Sequence, residues 1–513
     1  MKLVIYQVFT RTFGNKNTNN QPNGTIADNG VGKMSDFNKT TLQQIKKLGA
    51  NTIWYTGIIR HATCTDYSTF GIPRQTPRVV KGKAGSPYAI TDYYDVDPDI
   101  ADNVTKRMNE FEDLVKRTHN EGLKVIIDFV PNHVAREYKS ICKPNGVKDL
   151  GTDDKNKHFD ANNNFYYCPN EPLDTSAIPR SINNEATKPD YKSAEYTETV
   201  ARCTGNDRFD AHPQANDWYE TIKLNYGIDY CDWGGRSNHF NPIPDTWHKM
   251  TDILLFWAAK GIDGFRCDMA EMVPHEFWKY ATEKVKVQYP HIVFIGEVYD
   301  PNQYRTYIAA GFDYLYDKVG MYDCLRDVMC EHRSANDITR QWQATDDISK
   351  HVLYFLENHD EQRIASNYFC GNMQKGIPAL IVAALFQCNP IMIYAGQEFG
   401  EKGMDGEGFS GIDGRSTIFD YWSIDAIRKG FFERSKLSAE QVQLEKEYRK
   451  ILTLCNSEKA ISNGKTFDLM YANETNDAFD SNKQFAFLRS SNNTTLLIVA
   501  NFSKTEAHIR VNI

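Results

Sequence analysis

The chain has 513 residues, with 59 Lys and Arg against 67 Asp and Glu, a formal charge of −8. That balance excludes a phosphate-tracking nucleic-acid binder, which needs a basic face. With 41% hydrophobic and 25% charged residues, the composition is that of a globular protein with a large core, neither disordered nor fibrous.

At the N-terminus the apolar stretch after Lys2 is too short for a secretory h-region. The most apolar run, Ile377 to Tyr394, is interrupted by Pro378, Gln387, Asn389 and Pro390, so no segment reads as a membrane span. Eleven cysteines without a CxxC pair argue against a zinc ribbon or thioredoxin-like motif. The expectation is a cytoplasmic protein with reduced thiols, with a disulfide left open among Cys142, Cys168, Cys203 and Cys231.

Eight β-rich apolar runs alternate with helix-period segments. Leu3 to Phe9 comes first, followed by Leu42, Ile45 and Leu48 on one helical face with a Gly49 cap. Thr52 to Thr56 is the second strand. A helix carrying Met108, Phe111, Leu114 and Val115 then leads to the third, Val125 to Val130. From His133 to Pro244 no period is sustained, and some 110 residues of this kind read as an inserted lobe rather than a loop. Regularity returns with a helix carrying Trp247, Met250, Ile253, Leu254 and Trp257, then strands at Ile262–Cys267, Val293–Gly296, Phe312–Tyr316, Val352–Leu356 and Ile391–Tyr394.

This pattern predicts an α/β fold, a closed (β/α)8 TIM barrel with an irregular insertion after strand three. The tail, with Phe485-Ala-Phe-Leu and Leu496-Leu-Ile-Val split by Asn-rich turns, reads as a small antiparallel β domain. The expected boundaries are 1–132 plus 245–445 for the barrel, 133–244 for the insertion and 446–513 for a C-terminal β-sandwich. Gly406-Glu-Gly408-Phe-Ser-Gly411 matches GxGxxG but opens no helix in a βαβ unit, so it is a loop and not a dinucleotide site.

The chemistry of such a barrel sits at the C-terminal strand ends. Four ends carry acids: Asp128, Asp268, Glu297 and Asp360. One acid there is ordinarily a helix N-cap. Four converging acids suit a cation cage or acid/base work on an acetal, and no HExxH or comparable ligand cluster favours the cage. Glycoside cleavage needs one protonated and one ionised carboxyl. Arg266, on the same side of its strand as Asp268, is expected to lower that acid's pKa and make it the nucleophile. Glu297 has no cation adjacent in sequence, which suits a raised pKa and the acid/base role. Trp54, Trp218 and Trp257 are read as packing residues.

These ordered motifs resemble the α-amylase family, glycoside hydrolase family 13, over nearly the whole chain. The matching stretches are Asp128-Phe-Val-Pro-Asn132-His133, Gly264-Phe-Arg266-Cys-Asp268, Glu297 and Asn358-His359-Asp360. The resemblance implies retaining hydrolysis of α-1,4-glucosidic bonds in starch-derived glucans or maltooligosaccharides, with Asp268 as nucleophile, Glu297 as proton donor and Asp360 gripping sugar hydroxyls. It implies substrate contacts from Tyr88, Asp128, His133, Arg266 and His359, Tyr88 stacking on a sugar ring. The insertion would be the family's B domain and the tail its C domain.

No cofactor is required for this chemistry. The family's structural calcium would use Asn132, but Lys223 stands where the family usually has an Asp ligand, which argues against the ion. The Ile222-Lys223-Leu-Asn225 stretch and the one after Asp268 look like the neopullulanase and cyclomaltodextrinase branch, which carries an extra N-terminal domain, whereas here the first barrel strand starts at residue 3. Cyclomaltodextrinase or 4-α-glucanotransferase action, or an inactive glucan-binding member, are the alternatives. The protein is expected to be a monomer acting on an α-glucan, with no nucleic-acid or membrane partner.

Overall fold

A computed structural model describes residues 2–178, 196–403 and 411–513, so most of the Gly406–Gly411 pattern lies outside the described residues. Strands β1 (Val4–Phe9), β2 (Thr52–Thr56), β3 (Lys124–Phe129), β4 (Gly264–Cys267), β5 (Val293–Gly296), β6 (Tyr314–Tyr316), β7 (Val352–Phe355) and β8 (Ile391–Tyr394) form a closed parallel barrel. It closes where β1 pairs with β8, Val4 opposite Ile391.

Helix α1 (Lys39–Leu48) starts at Asn38, whose side chain accepts from the amides of Thr40 and Thr41, and stops at Gly49, where φ is 114°. That left-handed turn costs a glycine little. Its Leu42, Ile45 and Leu48 are buried, as are Phe111, Leu114 and Val115 of α2 (Arg107–Asn120). Each such side chain contributes roughly 1.5–3 kcal/mol. Trp257 of α3 (Asp245–Ala258) is buried in the core with its Nε1 donating to Tyr93 O, as its helical stripe predicts.

The period of two along the strands positions the site. Val4, Tyr6, Ile53, Tyr55, Val125 and Ile127 pack in the outer core, while Ile5, Trp54, Ile126, Ile295, Tyr316, Leu353, Phe355 and Met392 share the barrel interior. Two residues beyond Ile126 and Ile295 the same inward alternation brings Asp128 and Glu297, and on β4 Arg266 is followed by Asp268. A charged layer therefore caps an apolar plug.

An antiparallel pair after β2, Ile59–His61 with Ile90–Val96, was not anticipated. Its sequence, ITDYYDV, carries two aspartates yet is wholly buried, because Arg60 pairs with Asp92 and Asp95. The inserted region is built from short antiparallel pairs, among them His133–Ala135 with Thr221–Lys223 and Tyr167–Cys168 with Ala201–Arg202.

The C-terminal sheet has three antiparallel strands, β9 (Lys465–Asp468), β10 (Gln484–Ser491) and β11 (Thr494–Asn501). The expected β-sandwich is corrected to this one sheet: among the described residues no second sheet faces it, and it packs on helices, including α4 (Gly376–Leu385). The boundary expected at 445/446 falls inside α5 (Ala439–Ser457), a helix that packs on α1 and α4. All eleven cysteines are free thiols. Among the described residues no helix is long and apolar enough to cross a membrane.

Candidate active site

The strand ends bring Asp128, Arg266, Asp268 and Glu297 into direct contact. Arg266 Nη1 lies 2.7 Å from Asp268 Oδ1 and 3.4 Å from Asp128 Oδ1, and Nη2 lies 2.7 Å from Glu297 Oε2. The premise that Glu297 has no neighbouring cation is thereby corrected: none is adjacent in sequence, but β5 lies beside β4, with Arg266 opposite Ile295. Glu297 is further held by the Tyr299 hydroxyl at 2.7 Å and the Met269 amide at 2.8 Å. Met269 has a φ of 43°, a left-handed conformation that costs a non-glycine residue energy and here aims its N–H at a carboxylate.

Asp360 and His359 follow β7. The Asn358 side chain accepts from the amides of Asp360 and Glu361, fixing this turn. Gln7 Nε2 lies 2.9 Å from His359 Nδ1, and a donation there leaves the ring proton on Nε2. That nitrogen faces the Tyr88 hydroxyl at 2.5 Å and Asp360 Oδ2 at 3.2 Å. The Tyr88 ring stacks on the imidazole at a centroid distance of 5.2 Å. Tyr88, His133, Asp268, Glu297 and Asp360 line a cavity of about 310 Å³, joined by Trp218, Tyr299, Lys81 and Phe419. Asp128, Arg266 and His359 lie behind this surface, Asp128 also accepting from Trp54 Nε1 at 2.9 Å.

The sequence reading of the three tryptophans is therefore corrected at one position. Trp218 lines the cavity, 5.3 Å from the His133 ring. Asp217 before it and Glu220 two residues after it were the available signal, since they place it on no apolar stripe. Tyr299 was also missed, two residues beyond Glu297.

The electrostatics differ from the sequence expectation. Burial lifts Asp268 well above the carboxylate range, more than Arg266 lowers it, and the charges of Glu297 and Asp128 add to the lift. Burial raises Asp360 to about 7, helped by Glu297, and Asp128 to about 6 against the pull of Arg266. One guanidinium faces several carboxyls that cannot all ionise freely, so the group shares its protons. Burial lowers His133 to about 3 and His359 well below its usual value. Both rings are neutral near pH 7 and offer one donor and one acceptor.

The residues do not fit the family calcium. The Lys223 ammonium contacts Asn132 Oδ1, lies 2.6 Å from Asp207 Oδ1 and reaches Met272 O at 3.3 Å. It is a cation delivered by the chain itself to oxygens that would otherwise suit a hard divalent ion.

The family described as "Alpha amylase, catalytic domain" matches residues 7–200 and 241–484. The alpha-amylase MalA of Haloarcula japonica is 24% identical over 78% of this chain and 44% of its own length. A cyclomaltodextrinase of a Bacillus species is 22% identical over 99% of this chain and 74% of its own. Among solved structures, an alpha-amylase from Geobacillus thermoleovorans complexed with acarbose superposes with a TM-score of 0.61 at 19% identity, covering 98% of this chain and 87% of that one.

Proposed function

The chain belongs to the α-amylase family of glycoside hydrolases, and from that premise we propose that it cleaves α-1,4-glucosidic bonds in maltooligosaccharides with retention of configuration. The observation that carries the reading is the grip of one guanidinium, Arg266, on both Asp268 and Glu297 at the floor of a cavity. Two carboxyls held by one guanidinium suit the short spacing of retaining enzymes, about 5–5.5 Å, better than the wider gap that admits an inverting water.

In the first step, from the arrangement in which the shared proton rests on Glu297 and Arg266 holds Asp268 ionised, an Asp268 oxygen attacks the anomeric carbon while Glu297 gives that proton to the departing glycosidic oxygen. In the second, Glu297 takes a proton from water, whose oxygen displaces Asp268. The proton that left Glu297 is thus regained. Asp360 and the neutral His133 and His359 rings would bind sugar hydroxyls, and Tyr88 and Trp218 would cover the ring's apolar faces. Arg266 is the positioning cation, and no metal enters the chemistry.

The similarity to cyclomaltodextrinase and the Lys223 stretch favour small oligosaccharides over granules as a second, narrower reading. The test is incubation with maltoheptaose, β-cyclodextrin and pullulan, with early products separated and the first-formed anomer read by proton NMR. The expected result is short products in the α-configuration, slowed about 10²–10⁴-fold in Glu297→Gln. A β-anomer product would overturn the retaining assignment, and equal rates in Glu297→Gln would overturn the role of Glu297.

A further inference from the structure

The inserted region holds a second constellation that glycoside cleavage does not use. Its antiparallel pair places Cys168 opposite Ala201, and the Cys203 amide donates to Tyr166 O at 3.1 Å. The two thiols come within 4.0 Å of each other as a result. The carbonyl of His158 accepts from the Tyr167 amide at 3.2 Å, which tethers the histidine to the same strand. One ring nitrogen of His158 and the sulfurs of Cys168 and Cys203 all lie within 4.8 Å of one another. Cys231, arriving from a separate turn, sets its sulfur 3.5 Å from His158 Nε2.

From this arrangement we infer that His158, Cys168 and Cys203 form a structural zinc site, which Cys231, exposed and outside the three that converge within 4.8 Å, completes as fourth ligand when its side chain turns in. Metal–sulfur bonds of about 2.3 Å and a metal–nitrogen bond of about 2.0–2.1 Å make tetrahedral edges of roughly 3.8 Å between sulfurs and roughly 3.5 Å between sulfur and nitrogen. The 4.0 Å between Cys168 and Cys203 matches the sulfur–sulfur edge, and the His158 ring nitrogen lies within 4.8 Å of both sulfurs, a short closure from the second edge. The sulfurs stand about twice as far apart as the ~2.05 Å of a disulfide. Three soft sulfurs and an imidazole select zinc over calcium or magnesium, which take oxygen. On binding, zinc displaces the thiol protons to solvent, and three thiolates with a neutral histidine leave the centre at −1.

The site answers a need of the fold. Among the described residues the apolar cluster around it has Tyr166, Cys168, Leu173, Ala201, Cys203 and Ala211 as buried members, with Phe159, Tyr196, Phe209 and Tyr230 packed against them, and the strands of its pair are two residues long. Units with so small a core are ordinarily held by a metal or by disulfides. His158 Nδ1 is also buried without a hydrogen-bond partner among the described residues, an unused ring nitrogen inside the lobe. Among the described residues the other cluster of this kind, Asp92, Asp95 and Cys142, already has its carboxylates paired with Arg60 and Arg107.

The centre connects to the cavity wall. The Lys223 amide donates to Cys203 O at 2.9 Å, and Lys223 pairs with His133 across the next ladder. Zinc would thereby fix the strand that follows Trp218 and Glu220. Its loss is expected to raise KM more than it lowers kcat.

The full chain, produced without a metal-affinity tag in zinc-supplemented medium, should carry about one zinc by elemental mass spectrometry, and Cys168→Ser, Cys203→Ser and His158→Gln fewer than about 0.2. Cobalt exchanged into the wild type should show sulfur-to-cobalt charge transfer and tetrahedral ligand-field bands, a readout that needs no variant to fold. Wild-type chain that stays metal-free after exposure to zinc would overturn the proposal. So would an intact mass two hydrogens light with Cys168 joined to Cys203, or zinc retained in the variants. None of these readouts depends on which glucan, if any, the barrel cleaves.

Discussion

Arg266 shows what a residue-scale reading gains and loses. Its relation to Asp268, two positions away, is legible because strand alternation sends both side chains into the barrel. Its contact with Glu297 is a relation between strands, and sequence spacing carries no trace of it. The guanidinium fork is what allows two separate nitrogens to meet the two acids, at 2.7 Å each. A lysine offers one point charge instead. Arg266→Lys is therefore expected to lower kcat at least about 10²-fold, the scale of losing acid/base alignment, and to displace the pH–rate profile; a variant with an unchanged profile would contradict the positioning role. Trp218 belongs to the same scale. Trp218→Ala should raise KM for maltoheptaose roughly 2–12-fold, equivalent to the ~0.5–1.5 kcal/mol of an aromatic contact, with kcat nearly unchanged. A kcat loss without a KM change would place the ring in the chemistry instead.

At the scale of elements, the eight barrel strands were legible because each is a compact apolar run between helix-period segments. The Ile59–His61 and Ile90–Val96 pair was not, because its acids are buried by ion pairing, which no periodicity reports. Asp97 and Asp99, just beyond that pair, are both raised to about 6, chiefly by burial. Their unfolded values lie near ~3.9. Between about pH 4 and 6 the native state holds more protons than the unfolded one, so stability falls as pH rises through that window, by up to about 3 kcal/mol per acid. Asp99→Asn should flatten that fall in urea midpoints, and an identical slope would remove Asp99 from the account. The strand Thr221–Lys223 makes a different prediction. Because the Lys223 ammonium occupies the oxygen cluster of Asn132, Asp207 and Met272, added calcium should leave the wild-type Tm unchanged. Lys223→Asp should instead lower Tm and make it rise with calcium. A calcium response in the wild type would show that the ammonium does not substitute for the ion.

For the whole molecule, the sequence conveys that a β-rich tail follows the barrel but not how the two are joined. One side chain makes several of the bonds at that joint, beside those of Asp468 with Thr339 and Trp342 and the packing of Phe386 on Phe485 and Phe487. Arg489, on the middle strand β10, is fully buried and donates to the carbonyls of Phe386, Ala460, Ile461 and Gly464. Phe386 directly follows α4, which packs on α5, and α5 packs on α1. The sheet is therefore bonded to the same helical layer that encloses the barrel, and the expected division at 445/446 falls inside α5 of that layer. A buried guanidinium of this kind is compensated only while all its acceptors remain in place. Arg489→Met keeps the length of the side chain but takes a donor from four carbonyls; Phe386 O keeps Thr466 Oγ1 and Gly464 O keeps Cys388 Sγ, while those of Ala460 and Ile461 lose their side-chain donor, at about 1–3 kcal/mol each if left unsatisfied away from water. The variant is expected to unfold well below the wild type, with the transitions of near-ultraviolet signal and activity still coincident, because sheet and barrel share one helical layer. A separate early transition in the tail, with the activity transition unmoved, would show instead that the C-terminal sheet is an independent folding unit and that Arg489 fastens it without supporting the barrel.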